Sequence, residues 1–167
     1  MSTKKNIAII TAKFNEQITS KLRDSCSQYL DNPEIEDFKG EYNIEYEHFT
    51  CPGAVELIPM ARHILNQNGK KKFDAIVLIG AIIKGDTDHY EYICQTVIQS
   101  FSIFINQANI PVIFGVLTAQ NEELAEIRAN PNKINKGKDF AISTLEMIAN
   151  FHIKNEGLRM YHVPLPN

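Results

Sequence analysis

The sequence predicts a single-domain α/β protein, a four-stranded parallel sheet with helices on both faces. Three observations carry that expectation. Four short runs rich in Val, Ile and Phe alternate with longer stretches of helical periodicity, the order that a parallel sheet with crossover helices requires. One run, residues 73–83, is too continuously apolar to offer water a face, as in a strand covered from both sides. The 167 residues, 44% hydrophobic and 22% charged, suffice for one core without staples, since a domain of this size removes roughly 70% of its unfolded surface from water. The domain is expected to fill positions 1–167, with its core over 6–154 and an extended tail over 155–167.

Taken in order, the first strand is read at 6–12 (NIAIITA) and a helix over 17–29, where Ile18, Leu22 and Tyr29 fall at helical intervals. In the second strand, 42–49, Ile44, Tyr46 and His48 alternate with Asn43, Glu45 and Glu47, which reads as an edge strand with one wet face. A helix over 58–68 carries Ile58, Ala61, Ile64 and Leu65 on one stripe, and Pro59 is tolerated in a first turn where no N–H is needed. After the third strand, 73–83, a helix over 90–108 repeats Tyr90, Ile93, Val97, Phe101, Phe104 and Ile105 at i, i+3, i+4 spacing. The fourth strand, 110–117, must begin at Pro111, which has no ladder donor. Two helices, 121–129 and 137–154, follow, the second carrying Phe140, Leu145, Ile148 and Phe151, with Asn130-Pro131-Asn132 breaking them apart. The tail from Tyr161 to Asn167 holds two prolines and no periodicity, hence the extended conformation expected there.

Charge narrows the function classes. Seventeen basic against 20 acidic groups leave a net charge of −3 and a pI near 5.9, against a nucleic-acid or membrane-surface protein, either of which needs a basic face. The run Lys70-Lys71-Lys72 reads as a solvated loop. Cys26, Cys51 and Cys94 have neither C-x-x-C nor Cys/His ligand spacing and are expected to be reduced thiols in a cytoplasm. The apolar run after Lys4-Lys5 is too short for a signal peptide, and none approaches the ~18 residues of a membrane span.

In an open parallel sheet, ligands bind beyond the carboxyl ends of the strands. Four segments therefore matter most: Lys13-Phe14-Asn15, Thr50 to Glu56, Lys84 to His89, and Thr118-Ala119-Gln120. Phe14 either stacks on a flat heterocycle or caps the core beneath the first helix. Gly53 after Pro52 makes a tight turn that brings backbone N–H groups toward a ligand. Glu56, in the first turn of a helix, is either a ligand group or a charge favoured by the helix dipole. Gly85-Asp86-Thr87 leads into an amphipathic helix whose free N–H groups suit a phosphate; Asp86 or Thr87 is equally suited to N-cap that helix. His89 follows in the first turn, where an imidazole can exchange protons at neutral pH or serve structure alone. Arg128 and Lys136 flank the Asn130-Pro131-Asn132 break as two cations suited to an anion, or as solvated charges. No metal-ligand spacing joins His48, His63, His89, His152 and His162, and no nucleophile has an identifiable base.

Together these segments resemble the 6,7-dimethyl-8-ribityllumazine synthase family. The likeness rests on Phe14-Asn15, the Pro52–Leu57 segment PGAVEL, the Lys84–Tyr92 segment KGDTDHYEY, the Pro111–Thr118 segment PVIFGVLT and Asn135-Lys136-Gly137, in the family's order and spacing from about Ile7 to Met147. The resemblance implies a flavodoxin-like three-layer αβα fold with strand order 2-1-3-4. It implies condensation of 5-amino-6-(D-ribitylamino)uracil with 3,4-dihydroxy-2-butanone 4-phosphate, by way of a Schiff base, loss of phosphate and ring closure. No metal or organic cofactor takes part, so acid–base help and positioning carry the rate.

By the same resemblance, Phe14 and Asn15 lie at the pyrimidine, Phe14 stacking on it. Gly53, Ala54, Val55 and Glu56 bind the ribityl chain, and Ala81, Ile82 and Ile83 read the uracil edge through main-chain groups. Gly85, Asp86 and Thr87 hold the phosphate, and His89 transfers protons. Phe114, Arg128 and Lys136 come from a neighbouring subunit, with Arg128 the main phosphate cation. A homopentamer follows, with a decamer or icosahedral shell of sixty subunits, and a riboflavin synthase partner, also compatible. The chain departs from the family pattern at Lys84, where arginine is commoner, at Val55, and in the glycine-free stretch before Asn135. Two other readings are a related single-domain riboflavin synthase and a non-catalytic scaffold that stores flavin or lumazine. The phosphate turn with Arg128 counts against the first, and turnover separates the second.

Overall fold

The computed structural model describes residues 3–34, 42–66 and 72–151. Its elements run β1 (Thr3–Ala12), α1 (Glu16–Asp31), β2 (Tyr42–Cys51), α2 (Leu57–Leu65), β3 (Ala75–Ile83), α3 (His89–Ile105), β4 (Val112–Ala119), α4 (Glu122–Ala129) and α5 (Lys136–Phe151). All strand pairs are parallel, in the order β2-β1-β3-β4, as expected.

The two central strands explain the architecture. Successive side chains of a strand point to opposite faces, and both faces of β1 and β3 are apolar, so each must be covered. Ile7, Ile9, Val77, Ile79 and Ala81 pack beneath α1, α4 and α5. Ala8, Ile10, Ala12, Ile76, Leu78 and Ile82 pack beneath α2 and α3. Removing each large side chain of this set from water contributes roughly 1.5–3 kcal/mol. On the first face the helices approach closely: a Cβ at Gly137 of α5 would overlap the Leu22 carbonyl of α1 and stand 2.9 Å from Ser25 Cβ.

The edges follow the patterning too. β2 is an edge strand with Ile44 and Tyr46 against the core and His48 exposed. Pro111 stands just before β4, and its carbonyl accepts from the Ile76 N–H at 2.9 Å. Boundaries shift where polar residues join the ladder. β1 begins at Thr3 because Lys4, Lys5 and Asn6 pair with Asn43, Ile44 and Glu45. Lys5, only 5% exposed, is held by Asp74 at 3.4 Å and lies over the Tyr42 ring. β3 starts at Ala75 because Asp74 instead accepts from the Asn6 N–H at 2.8 Å through its carboxylate. Of its expected stripe, helix α3 buries Val97 and Phe104, packs the partly buried Tyr90, Ile93 and Phe101 against the same core, and leaves Ile105 exposed. Residues 67–68 of the second helix, 152–154 of the last, and the tail lie outside the described residues.

Candidate active site

The strands do not end level, and the step between them builds the site. β1 pairs with β3 only as far as Thr11 opposite Ile79, while β3 stays paired with β4 to Ile83 opposite Ala119. Residues 80–83 therefore have no strand on their β1 side. Alternate residues of a strand turn their N–H and C=O to opposite neighbours. Ile76 and Lys84 bond toward β4, to Pro111 and Ala119, so Ala81 and Ile83 turn theirs to the side β1 has left. There the Asn15 side-chain amide donates to the Ala81 carbonyl at 2.9 Å.

Beside this open edge the exits of β1 and β2 are tied together, Lys13 N–H to Cys51 O at 2.9 Å and Phe14 N–H to Pro52 O at 3.0 Å. The Phe14 ring is 71% exposed, so within one chain it caps no core and its face is open for stacking. In the turn after β2, a Cβ on Gly53 would stand 3.0 Å from Glu56 Oε2; the missing side chain lets the carboxylate fold over the turn. The Cys51 thiol donates to the Gly53 carbonyl at 3.3 Å. Burial first, and then the Glu56 charge, push that thiol up to about 11, so it is protonated and no nucleophile.

Past β3, Gly85, Asp86, Thr87, Asp88 and His89 are all exposed. Asp88 holds the N-cap position of α3 but makes no side-chain cap bond, so neither Asp86 nor Thr87 plays the capping part their position suggested. Lys84 pairs with Glu91 at 2.8 Å, strapping the turn to the first turn of α3. This hydrogen bond raises the lysine's pKa and lowers the glutamate's. It also draws the Glu91 carboxylate to a cation. Of the four helices that follow a strand, α1, α2 and α3 lack a side-chain cap at the N-terminus, whereas in α4 the Asn121 side chain accepts from Leu124 N–H at 2.9 Å. Three helix ends with orphan N–H groups thus meet the carboxyl ends of β1, β2 and β3, an arrangement that favours an anionic or polar ligand.

The remaining expected residues lie elsewhere. Arg128 is in the last turn of α4, exposed, and Lys136 opens α5, paired with Asp139 at 2.7 Å. Both helices cover the sheet face opposite α2 and α3. These cations therefore belong to the layer opposite the one that α3 starts. Phe114 of β4 is half-buried in the α2–α3 layer, its ring 4.7 Å from Phe101. A cavity of about 490 Å³ lies away from the carboxyl edge, between α1 and the α4–α5 turn, where Lys138 and Asn135 face Tyr29 and Ser25. Among the described residues no three His, Cys, Asp or Glu side chains gather as a metal would need, and no helix is long and apolar enough to cross a membrane.

Sequence reasoning missed the Asn15–Ala81 contact and the Lys84–Glu91 strap. The first had one local signal, an Asn after an aromatic at a strand end, since Asn tolerates the left-handed backbone (φ 58°) found there.

Comparison with known proteins agrees with the geometry. The family described as 6,7-dimethyl-8-ribityllumazine synthase matches residues 4–152. The 6,7-dimethyl-8-ribityllumazine synthase of Limosilactobacillus reuteri is 38% identical over 143 residues, 86% of this chain and 87% of that one. Those of Leuconostoc mesenteroides and Bdellovibrio bacteriovorus are each 37% identical, over 87% and 85% of this chain and 88% and 73% of their own. The chain is a member of the 6,7-dimethyl-8-ribityllumazine synthase family.

Proposed function

We propose that this protein condenses 5-amino-6-(D-ribitylamino)uracil with 3,4-dihydroxy-2-butanone 4-phosphate to give 6,7-dimethyl-8-ribityllumazine, phosphate and water, the penultimate step of riboflavin biosynthesis. The observation that carries the reading is one sheet edge that offers three recognition surfaces matched to three parts of the substrates. The exposed Phe14 ring suits a flat pyrimidine. The strand edge at Ala81 and Ile83, whose main-chain groups turn away from β4 as those of Ile82 do not, suits the donors and acceptors of a uracil. The uncapped α3 N-terminus behind Gly85, Asp86 and Thr87 suits a phosphate.

On this reading Glu56 and the Gly53–Val55 backbone take the ribityl hydroxyls, and Asn15 lies beside the ring. His89, in the first turn of the phosphate-binding helix, moves protons as the amine adds to the ketone, water leaves the carbinolamine, phosphate departs, and the ribityl-bearing amine closes the ring with loss of a second water. Holding both substrates in register supplies most of the acceleration, since ordering two reactants is worth several kcal/mol.

The assembly belongs to the same proposal. Arg128 and Lys136 reach a phosphate at α3 only from a neighbouring copy, which also brings Phe114 close, and a ring of five identical subunits closes such a head-to-tail contact. Tyr92, Ile98 and Ile103 of α3 are 67%, 50% and 59% exposed, apolar surface of the kind subunits cover. The three free cysteines suit a reducing cytoplasm.

The test is lumazine formation by the purified protein with both substrates, each omitted in turn. Product that requires both is expected. A folded oligomer that binds lumazine tightly and forms none would replace the proposal with a storage scaffold.

A further inference from the structure

Asn15 occupies the N-cap position of α1 but does not cap it: φ 58° and ψ 46° are left-handed, and its side chain makes no cap bond. Asn is among the best N-caps, worth about 1 kcal/mol when its oxygen accepts from the first turn, and a left-handed backbone is a further local cost. Both are set against one long-range contact, the 2.9 Å bond from Nδ2 to the Ala81 carbonyl, across 66 positions of sequence. That bond lies where the β1–β3 ladder has stopped. Thr19 meanwhile donates to the Ala12 carbonyl at 2.9 Å, engaging the last carbonyl of β1 and leaving the Asn15 amide as the group that bridges β1's exit to β3.

We propose that Asn15 is a positioning residue whose amide replaces the missing strand beside β3, fixing the Ala81–Ile83 edge at a set spacing from the Phe14 ring. The inference rests on the function proposed above and refines it: Asn15 acts on the pyrimidine through Ala81 rather than by touching it. The left-handed turn also directs the chain so that Phe14, one residue earlier, stays outside the core while α1 packs onto the sheet. Ring and strand edge then form a slot of fixed width, which selects a planar heterocycle with hydrogen-bonding groups along one side.

Two variants separate the contributions. Asn15→Gly keeps the left-handed backbone and deletes the amide; Asn15→Asp keeps the shape and sets an acceptor against the Ala81 carbonyl. In ligand-free protein, amide hydrogen exchange over 79–84 is expected to rise roughly fivefold or more in both, as loss of one net hydrogen bond allows. KM for the ribitylaminouracil is expected to rise roughly fivefold to tenfold, with KM for the butanone phosphate within about twofold. Unchanged exchange over 79–84 overturns the proposal, because a residue that only touched substrate would leave the free protein as it was. A parallel rise in both KM values overturns it as well, by showing general damage. If the wild type forms no lumazine, the functional reading falls, and the exchange comparison still decides whether Asn15 holds this edge.

Discussion

Subunits carrying His89→Ala and subunits carrying Arg128→Ser, each impaired alone, should restore one another when unfolded together and refolded as mixed rings. The expectation follows from which sheet face each residue serves. His89 begins α3, which covers one face, and Arg128 ends α4, which covers the other. On the proposed assembly, a complete site takes His89 from one subunit and Arg128 from its neighbour. In an equal random mixture half of the sites have an intact His89, and half of those face an intact Arg128, so about a quarter of the sites are whole. The parents set the baseline. Deleting His89 should slow turnover about 10- to 100-fold, because solvent can still move protons once the substrates are ordered. Deleting the Arg128 charge should cost about 2–5 kcal/mol in use of the phosphorylated ketone. Turnover near a quarter of wild type is then at least about 2.5-fold above the His89→Ala parent and about 7-fold or more above the Arg128→Ser parent. The assay is lumazine formation by rings shown by native mass spectrometry to be mixed. Activity no higher than the mean of the parents would refute the shared site and require both residues to act within one chain.

Three further outcomes are expected. Gly115→Ala should lower the urea midpoint by the equivalent of about 1–3 kcal/mol, because the new Cβ would stand 2.7 Å from the Leu78 carbonyl and 3.0 Å from the Phe140 ring; an unchanged midpoint would mean that β4 and α5 part without strain. Burial pushes the Cys26 thiol from 9.0 to about 12, so above pH 9 the unfolded chain loses a proton that the folded chain keeps. Stability should fall between pH 9 and 12, and Cys26→Ala, compared at pH 8 and 10.5, should lose less than wild type. Lys84→Ala should change KM for the butanone phosphate far less than Arg128→Ser does, since Lys84 is already engaged by Glu91; an equal effect would make Lys84 a phosphate ligand.

The fold was legible wherever hydrophobic periodicity decides the outcome. β3 is apolar on both faces because helices cover both, and β2 alternates because it is an edge. Legibility failed where a polar residue takes part in structure through a distant partner. The first strand was read from Asn6 only, yet it begins at Thr3, and Lys5 is buried against Asp74 and Tyr42, residues far from it in sequence. The stripe on α3 was legible up to Phe104, but apolar spacing did not account for Tyr92, Ile98 and Ile103, which lie off that stripe and in water in one chain. The candidate site was legible as segments at strand ends, since topology alone sends those to one edge. The division between Phe14, Glu56 and His89 on one side and Arg128 and Lys136 on the other was implied by family likeness; the opposed helix layers set Glu56 and His89, at the starts of α2 and α3, apart from Arg128 and Lys136, whereas Phe14 precedes α1, which shares the layer of α4 and α5.

The distribution of caps argues that this edge is shaped by a ligand rather than by folding alone. Each helix that follows a strand starts at the same sheet edge with several N–H groups lacking intrahelical partners, and a polar residue stands at or beside each start, so side-chain capping was open to all of them. Only α4 uses it. At α1 the available amide is sent to Ala81, at α2 the Glu56 carboxylate lies over the Gly53 turn, and at α3 Asp88 makes no cap bond. A cap contributes about 1 kcal/mol, so a chain selected for stability alone would have little reason to forgo three. The forgone caps fall along β1, β2 and β3, beside Phe14 and His89, and the retained one belongs to α4, which carries Arg128 in its last turn. Stability is given up where a substrate would supply the missing partners and kept where none is needed.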